Sequence, residues 1–237
     1  MFDEPSQRQF RRYQIQLPLL HKPSSSRAKK VQVGWTRDMG EGGICVELDR
    51  SLPISTSLQI RLQTDRGVIH AEAAVVWSGA RQGRQGGILH GLAFTRLAPE
   101  NRESFQYLLL SWGLGRRGGG VRIPFRVAVT CQFRGEAGPL IVGHGHDGSR
   151  NGLLLRLPQV VPPNTTLDLT LHTHQGPVTL EAVVIWVAPP EGRSPGGPIR
   201  HGLRLGALRW PTALALGRAL VGPLTDTPWL ARREGSA

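Results

Sequence analysis

Apolar and polar residues alternate in two distant stretches of the chain. Residues 57–63 read Leu-x-Ile-x-Leu from their second position, and residues 166–172 read Leu-x-Leu-x-Leu. A period of two is typical of a β-strand with one buried face. Each stretch is followed by a short glycine-containing turn and then by an apolar run that ends in tryptophan, at residues 69–77 and 178–186. The pattern therefore predicts two similar β-hairpins.

The two predicted hairpins are part of an internal sequence repeat that covers most of the chain. The pairs that share an offset of 109 are Asp38 and Asp147, Gly43 and Gly152, Leu48 and Leu157, Pro53 and Pro162, Leu58 and Leu167, Gly67 and Gly176, Glu72 and Glu181, and Trp77 and Trp186. The tripeptide His-Gly-Leu then recurs at an offset of 111. The further strands predicted in the two copies are 13–20, 43–48 and 90–95, and 127–133, 153–157 and 201–205. The sequence thus predicts one fold formed twice.

A helix is predicted after the last strand of each copy. In the first copy, Pro99 and Glu100 suit the start of a helix. The apolar residues that follow at helical spacing are Phe105, Leu108, Leu109 and Trp112. The second copy has a weaker equivalent at residues 211–220. We expect each helix to pack its apolar face against its own barrel.

The predicted fold class is mainly β, with two small antiparallel β-barrels in tandem and a helix at the end of each. The domains are predicted at residues 1–113 and 114–237, with a hinge at the glycine-rich segment 113–120. Such a segment is flexible when nothing binds it.

Charge and cysteine content narrow the function. The 29 Lys and Arg residues outnumber the 17 Asp and Glu residues and give a net charge of +12, which favours an anionic partner. Cys45 and Cys131 have no metal-site or redox spacing, which indicates a reducing compartment. No stretch resembles a secretory signal or is apolar over a membrane-spanning length, so we expect a cytoplasmic protein without a membrane span.

Two short groups of polar residues carry the candidate chemistry. Arg122 and Arg126 stand four residues apart, and Asp147, Ser149 and Gly152 follow about twenty residues later. A guanidinium group offers paired donors to phosphate oxygens and to the O6/N7 edge of guanine. A carboxylate can accept from guanine nitrogens, and glycine permits close approach of the backbone. These residues predict a site for a guanine nucleotide phosphate.

The two groups, written RxxxR and [D/N]xSxxG, resemble the motifs of the PilZ domain, a bacterial receptor module for cyclic di-GMP. The resemblance implies six-stranded barrels, no cofactor beyond the ligand cyclic di-GMP, and ligand contacts from Arg122, Arg126, Asp147, Ser149 and Gly152. It also implies that the two arginines wrap the ligand as an arm. Because the arm follows the hinge, we expect ligand to change the arrangement of the domains, and a downstream protein partner to sense the change.

The first copy departs from the family pattern. Arg8 and Arg12 keep the arginine spacing, and Asp38 and Gly43 keep two positions of the second motif. Gly40 stands where the family has serine, which removes one hydroxyl group. A second ligand site at these residues is therefore left open.

Other chemistry has little support in the sequence. The pairs His144 with His146 and His172 with His174 have a spacing that can chelate a metal, but no Cys or carboxylate completes a recognisable pattern, so no metal site is predicted. Ser149 is not in a nucleophile elbow, and no lysine loop cradles a phosphate, so no enzyme is predicted. We expect Trp77 and Trp186 to pack in the core.

Two other functions fit the same features. Barrels that keep the fold but bind no ligand could instead serve as adaptors that dock a protein partner. This interpretation suits the first copy, where Gly40 replaces the serine of the motif. A small-barrel nucleic-acid binder would suit the net charge, although the aromatic platform expected of one is not evident, so we expect nucleic acid not to be the partner.

Overall fold

The computed structural model describes residues 11–25, 31–83, 86–113, 121–136, 138–189 and 196–222. Within these ranges the chain forms thirteen strands and two helices. In chain order they are β1 Pro18–Pro23, β2 Gln32–Gly40, β3 Gly43–Leu48, β4 Ser57–Thr64, β5 Gly67–Arg81, β6 Ile88–Leu97, α1 Pro99–Gly113, β7 Ile123–Pro124, β8 Ala128–Phe133, β9 Ile141–Ser149, β10 Gly152–Leu157, β11 Thr166–Thr173, β12 Gly176–Val187, β13 Ile199–Leu205 and α2 Trp210–Val221.

The strands form two closed antiparallel barrels. The first barrel has the order β1-β2-β3-β6-β5-β4, and β1 closes the ring by pairing with β4. In the second barrel β8, β9, β10, β13, β12 and β11 form the equivalent ring, which the β9–β10 pairing closes. The short β7 lies beside β9 at the edge of this ring. The predicted pair of six-stranded barrels is confirmed.

The second motif, which lies outside the predicted strands, forms a tight hairpin. Asp147 and Ser149 belong to β9, Gly152 begins β10, and Arg150 and Asn151 alone form the turn. The predicted strand 13–20 starts five residues too early, because β1 begins at residue 18, whereas the predicted strand 127–133 matches β8 to within one residue. The motif residues are therefore held by a paired strand.

Glycines hide the alternating pattern of β9 in the sequence. They occupy positions that face the barrel interior, where a larger residue would clash with its neighbours. A Cβ atom at Gly143 would lie 2.5 Å from the Leu157 side chain, and one at Gly145 would lie 2.6 Å from the Phe125 ring. The absent side chains leave room for Phe125 and Leu157 in the core. Glycine here marks close packing and not a turn.

Helix α1 packs against its own barrel, as predicted. Phe105, Leu108 and Leu109 are buried. The Phe105 ring meets the Phe94 ring edge to face, with centroids 5.3 Å apart. This contact fixes the helix beside the strands that precede it.

Helix α2 contacts its own barrel, as predicted, and also crosses to the first barrel, which was not predicted. The Trp35 indole Nε1 on β2 donates a hydrogen bond to the Ala213 carbonyl at 2.8 Å. A Cβ atom at Gly217 would lie 3.0 Å from both Trp35 and Val33, so the small residue allows the helix to approach β2 closely. The helix also contacts β1 and β12. It therefore joins the two barrels.

The reason for this crossing lies in the outer face of the first barrel. Leu20 and Val33 are cross-strand partners on β1 and β2, and both are buried although they point away from the barrel interior. Trp35 extends the same face and is fully buried. An apolar outer face must be covered, and α2 covers it.

A buried histidine in the first barrel makes stability depend on pH. His21 shares the inner face of the barrel with Leu19 and Ile60, and neither ring nitrogen has a hydrogen-bond partner in the described structure. Burial, and then the neighbouring His90, lower the pKa of His21 to about 4. The unfolded chain takes up this proton near pH 6.5, whereas the folded chain does so only near pH 4. Acidification between these values therefore favours unfolding.

We expect the free energy of unfolding to fall by on the order of 3 kcal/mol between pH 6.5 and 4 through His21. His21→Leu should remove this part of the pH dependence, whereas His174→Leu at an exposed position should keep it. Urea unfolding at a series of pH values measures both. Equal pH slopes in wild type and His21→Leu would contradict the assignment.

Candidate ligand-binding site

The β9–β10 hairpin presents the second motif with little freedom. The Ser149 hydroxyl donates to the Gly152 carbonyl at 3.5 Å and accepts from the Asn151 backbone N–H at 3.3 Å. A Cβ atom at Gly152 would lie 2.6 Å from the Leu203 carbonyl oxygen. Glycine is thus required for the close approach of β13 and not for a left-handed backbone. The two long hydrogen bonds leave the Ser149 hydroxyl able to exchange partners.

The arm that carries the first motif lies along the barrel. β7 pairs with β9, with Ile123 opposite Gly148 and Pro124 opposite Asp147. This register brings the Arg122 Nε within hydrogen-bonding distance of the Asp147 carboxylate. His146 Nδ1 lies 3.2 Å from the other carboxylate oxygen of Asp147. The structure therefore brings the two motifs together.

Arg126 faces a separate space beside this ion pair. A cavity of about 690 Å³ is lined by Pro124, Phe125, Arg126, His144, Gly145, His146, Arg156 and Pro198. Ligand pockets commonly enclose roughly 300–1,000 Å³. Arg126 is exposed, whereas Arg122 is pinned against Asp147. The two arginines of one motif thus occupy different positions.

The segment before β1 is the first copy's equivalent of the arm, and strand pairing shows which of its residues match those of the second copy. Tyr13 pairs with Met39 as Ile123 pairs with Gly148. Residues of the arm are therefore related by an offset of 110, and residues of the strand beside it by an offset of 109. Arg12 therefore corresponds to Arg122, and it pairs with Asp38 at 2.5 Å as Arg122 pairs with Asp147.

This alignment changes the assignment of the first copy. Gln16, and not Arg12, stands at the position of Arg126, and Arg8 lies outside the described residues. Gly43 keeps its role, because a Cβ atom there would lie 2.2 Å from the Leu92 carbonyl oxygen. A Cβ atom at Gly40 would lie 2.5 Å from the Arg11 carbonyl oxygen, so serine has no room. The first copy thus lacks more of the site than its sequence suggested.

A family model described as PilZ domain matches the chain twice, over residues 6–111 and 116–209. The chain belongs to the PilZ domain family. Among solved structures, the PilZ domain with c-di-GMP of YcgR from Escherichia coli is 15% identical and matches 46% of this chain and 93% of its own, with a TM-score of 0.38. The inhibitor of motility MotI/DgrA from Bacillus subtilis is 11% identical over 87% of this chain and 94% of its own, with a TM-score of 0.35. The MrkH-c-di-GMP complex from K. pneumonia is 14% identical over 86% and 84%, with a TM-score of 0.34. A search of curated proteins returned no match.

The turn of the second PilZ motif reaches into the first PilZ barrel. Arg150 Nη1 lies 2.8 Å from Glu47 Oε2, and the two side chains are only 12% and 4% exposed. The Arg150 guanidinium lies 5.5 Å from the centre of the Trp35 ring and 5.8 Å from that of Trp210. Neither Arg150 Nη1 nor Glu47 Oε2 makes a well-directed hydrogen bond. The ion pair is thus enclosed and close, but imperfectly aligned.

A second contact joins the same turn to the arm of the first PilZ barrel. The Asn151 side-chain amide donates to Gln16 Oε1 at 3.3 Å. Both central residues of the turn therefore contact the other barrel. Sequence analysis did not predict this contact, because Arg150 and Asn151 occupy the unspecified positions of the motif.

Several other predicted roles change in the structure. Trp77 and Trp186 are 42% and 45% exposed, so the expectation of core packing is wrong; each ring lies against the glycine at position 91 or 202. His90 is fully buried. Its Nε2 accepts from the Leu52 backbone N–H at 3.0 Å, and the equivalent histidine of the second barrel does the same at 3.1 Å. These imidazoles anchor loops.

The two thiols are chemically quiet. Burial raises the pKa of Cys45 to about 11 and that of Cys131 to about 12, so both remain protonated at neutral pH. In the described ranges, no three His, Cys, Asp or Glu side chains are grouped to hold a metal ion. Neither described helix is long and apolar enough to cross a membrane.

Proposed function

We propose that this PilZ protein is a non-enzymatic cytoplasmic receptor for cyclic di-GMP whose ligand site lies on the second barrel. The observation that carries the proposal is the placement of the arm. β7 brings Arg122 to Asp147, while Arg126 faces a cavity of nucleotide size. The ligand-binding residues are Arg122, Arg126, Asp147, Ser149 and Gly152.

The chemistry of these groups suits a guanine dinucleotide. Arg126 has no acidic partner in the described structure and can meet a phosphate oxygen or the O6/N7 edge of guanine. The Asp147 carboxylate, oriented by Arg122, can accept from guanine N1 and N2 hydrogens. The Ser149 hydroxyl can donate or accept. The two phosphate charges of the ligand would be balanced by arginine.

Ligand binding on this hairpin should alter the arrangement of the barrels. Asp147 and Ser149 directly precede the turn whose Arg150 and Asn151 contact Glu47 and Gln16. A ligand that shifts the turn by a fraction of an ångström would change an ion pair that is already poorly aligned. A protein partner that contacts both barrels would sense the change. The predicted hinge spans residues 113–120, of which 114–120 lie outside the described residues.

Calorimetric titration of the full chain tests the ligand class. Cyclic di-GMP should bind with an affinity that GTP does not match. A short single-stranded oligonucleotide should bind only weakly and lose that binding as salt is raised. The measurement uses the three ligands at two salt concentrations.

Two results would contradict the proposal. Oligonucleotide binding tighter than dinucleotide binding would identify a nucleic-acid protein. No binding of any of the three ligands would favour a protein-docking adaptor.

A further inference from the structure

A row of basic side chains crosses the outer wall of the second barrel next to the cavity. His144 on β9 lies opposite Arg156 on β10, and Arg156 lies opposite Arg200 on β13. Cross-strand partners project from the same face of a sheet. All three side chains are exposed, and two of them, His144 and Arg156, line the cavity that also contains Arg126.

This row is electrostatically unfavourable for the barrel alone. Arginines directly opposite each other on neighbouring strands repel and destabilise a sheet. Neither Arg156 nor Arg200 has an acidic partner in the described part of the chain, and Arg126 lines the same cavity as Arg156. An anion bound in the cavity would attract these arginines and offset the repulsion between them.

The first barrel provides an internal comparison at the same positions. Trp35 lies opposite Glu47, and Glu47 lies opposite Leu89. The row that is basic in the second barrel is therefore apolar and acidic in the first. It is also covered there, because Ala213 contacts Trp35, and Arg150 pairs with Glu47. This face of the first barrel is covered by other parts of the chain, whereas the equivalent face of the second barrel is exposed and positively charged.

We propose that Arg156, flanked by His144 and Arg200, binds a phosphodiester group of the ligand, so that the barrel wall and Arg126 hold the dinucleotide between them. The inference rests on the proposed function and extends its binding site beyond the two sequence motifs. It also explains why the first barrel would not bind the ligand in the same way. Glu47 stands there at the position of Arg156, and its carboxylate would repel a phosphate group. The first barrel accordingly takes no dinucleotide on this face.

The test replaces Arg156 by the residue that the first barrel has at its position. Arg156→Glu should weaken cyclic di-GMP binding at least roughly tenfold, the scale of one bidentate arginine contact. The same change places a carboxylate opposite Arg200, so thermal stability should be kept or raised. Loss of binding in a protein that melts no earlier than wild type is a result that a purely structural role would not give. Arg156→Gln should give a smaller loss.

Arg102→Glu on α1 makes the same change of net charge at an exposed position on the first barrel, and its affinity should stay near that of wild type. Wild-type affinity in Arg156→Glu, while Arg126→Ala loses binding, would overturn this inference and leave the receptor function intact. Absence of dinucleotide binding by the wild type would overturn both. A variant that loses oligonucleotide binding but keeps dinucleotide binding would show that the row serves a nucleic acid, which also contradicts the inference.

Discussion

Replacing Arg126 by alanine is expected to weaken cyclic di-GMP binding by about 1–3 kcal/mol, or roughly tenfold to more than a hundredfold. The loss follows from the position of the side chain, which is exposed at the cavity and has no ion-pair partner among the described residues. Its guanidinium is therefore available to the ligand without first breaking a contact. Calorimetry of the variant measures the effect.

Arg122→Ala should give a loss on the same scale for a different reason. It removes the guanidinium that orients the Asp147 carboxylate and leaves only His146 beside it, so the ligand meets a less ordered carboxylate. Arg102→Ala, on α1 of the first barrel, is the matched control and should bind as wild type does. Wild-type affinity in Arg126→Ala would contradict the assignment of the site.

The second large effect is expected at the ion pair between the barrels. Arg150→Ala leaves the Glu47 carboxylate buried and should lower the free energy of unfolding by about 3 kcal/mol, at the lower end for a broken buried pair. The cost is limited because Glu47 keeps the Gly87 backbone N–H at 2.9 Å and Arg37 at 3.6 Å. Urea unfolding measures the loss.

A double-mutant cycle isolates this interaction. Glu47→Leu combined with Arg150→Met should recover most of the stability, since an apolar pair of similar volume avoids the cost of burying charge. Additive losses would show that the pair does not interact.

Fluorescent labels on each barrel test the role of this ion pair in signalling. Cyclic di-GMP should shift the distribution of distances between the labels in the wild type and not in Arg150→Ala, although Arg150→Ala still binds the ligand. An unchanged distribution in the wild type, despite binding, would contradict the conformational response.

Repeats and alternation were sufficient to predict the barrels, because a strand with one buried face must show a period of two. They failed on β9, where inward glycines hide the alternation. They also missed that α2 packs on the first barrel as well as on its own. Trp35 could have signalled this, since an apolar residue faces outward there at the position of His144 in the second copy.

The residues of the two motifs lie together in the second copy, whereas the arginine spacing of the first copy does not match its strand register. Arg8 and Arg12 have the right spacing, but the strand register gives Arg12 the place of Arg122 and Gln16 the place of Arg126. Spacing along the chain carries no information on register across strands. The role proposed for Arg156 could not be predicted from the sequence, because Arg156 lies outside both motifs and its cross-strand neighbours on β9 and β13 are known only from the fold.

The crossing of α2 has a consequence for synthesis on the ribosome. Trp35 and Ala213 are 178 residues apart in sequence, so the first barrel is complete long before the helix that covers it has been made. Throughout that interval, a nascent chain exposes Val33 and Trp35 to water and to other chains. A chain whose translation stops before residue 210 keeps this face uncovered permanently, and should be a substrate for chaperones and proteases even though its first barrel has all six strands.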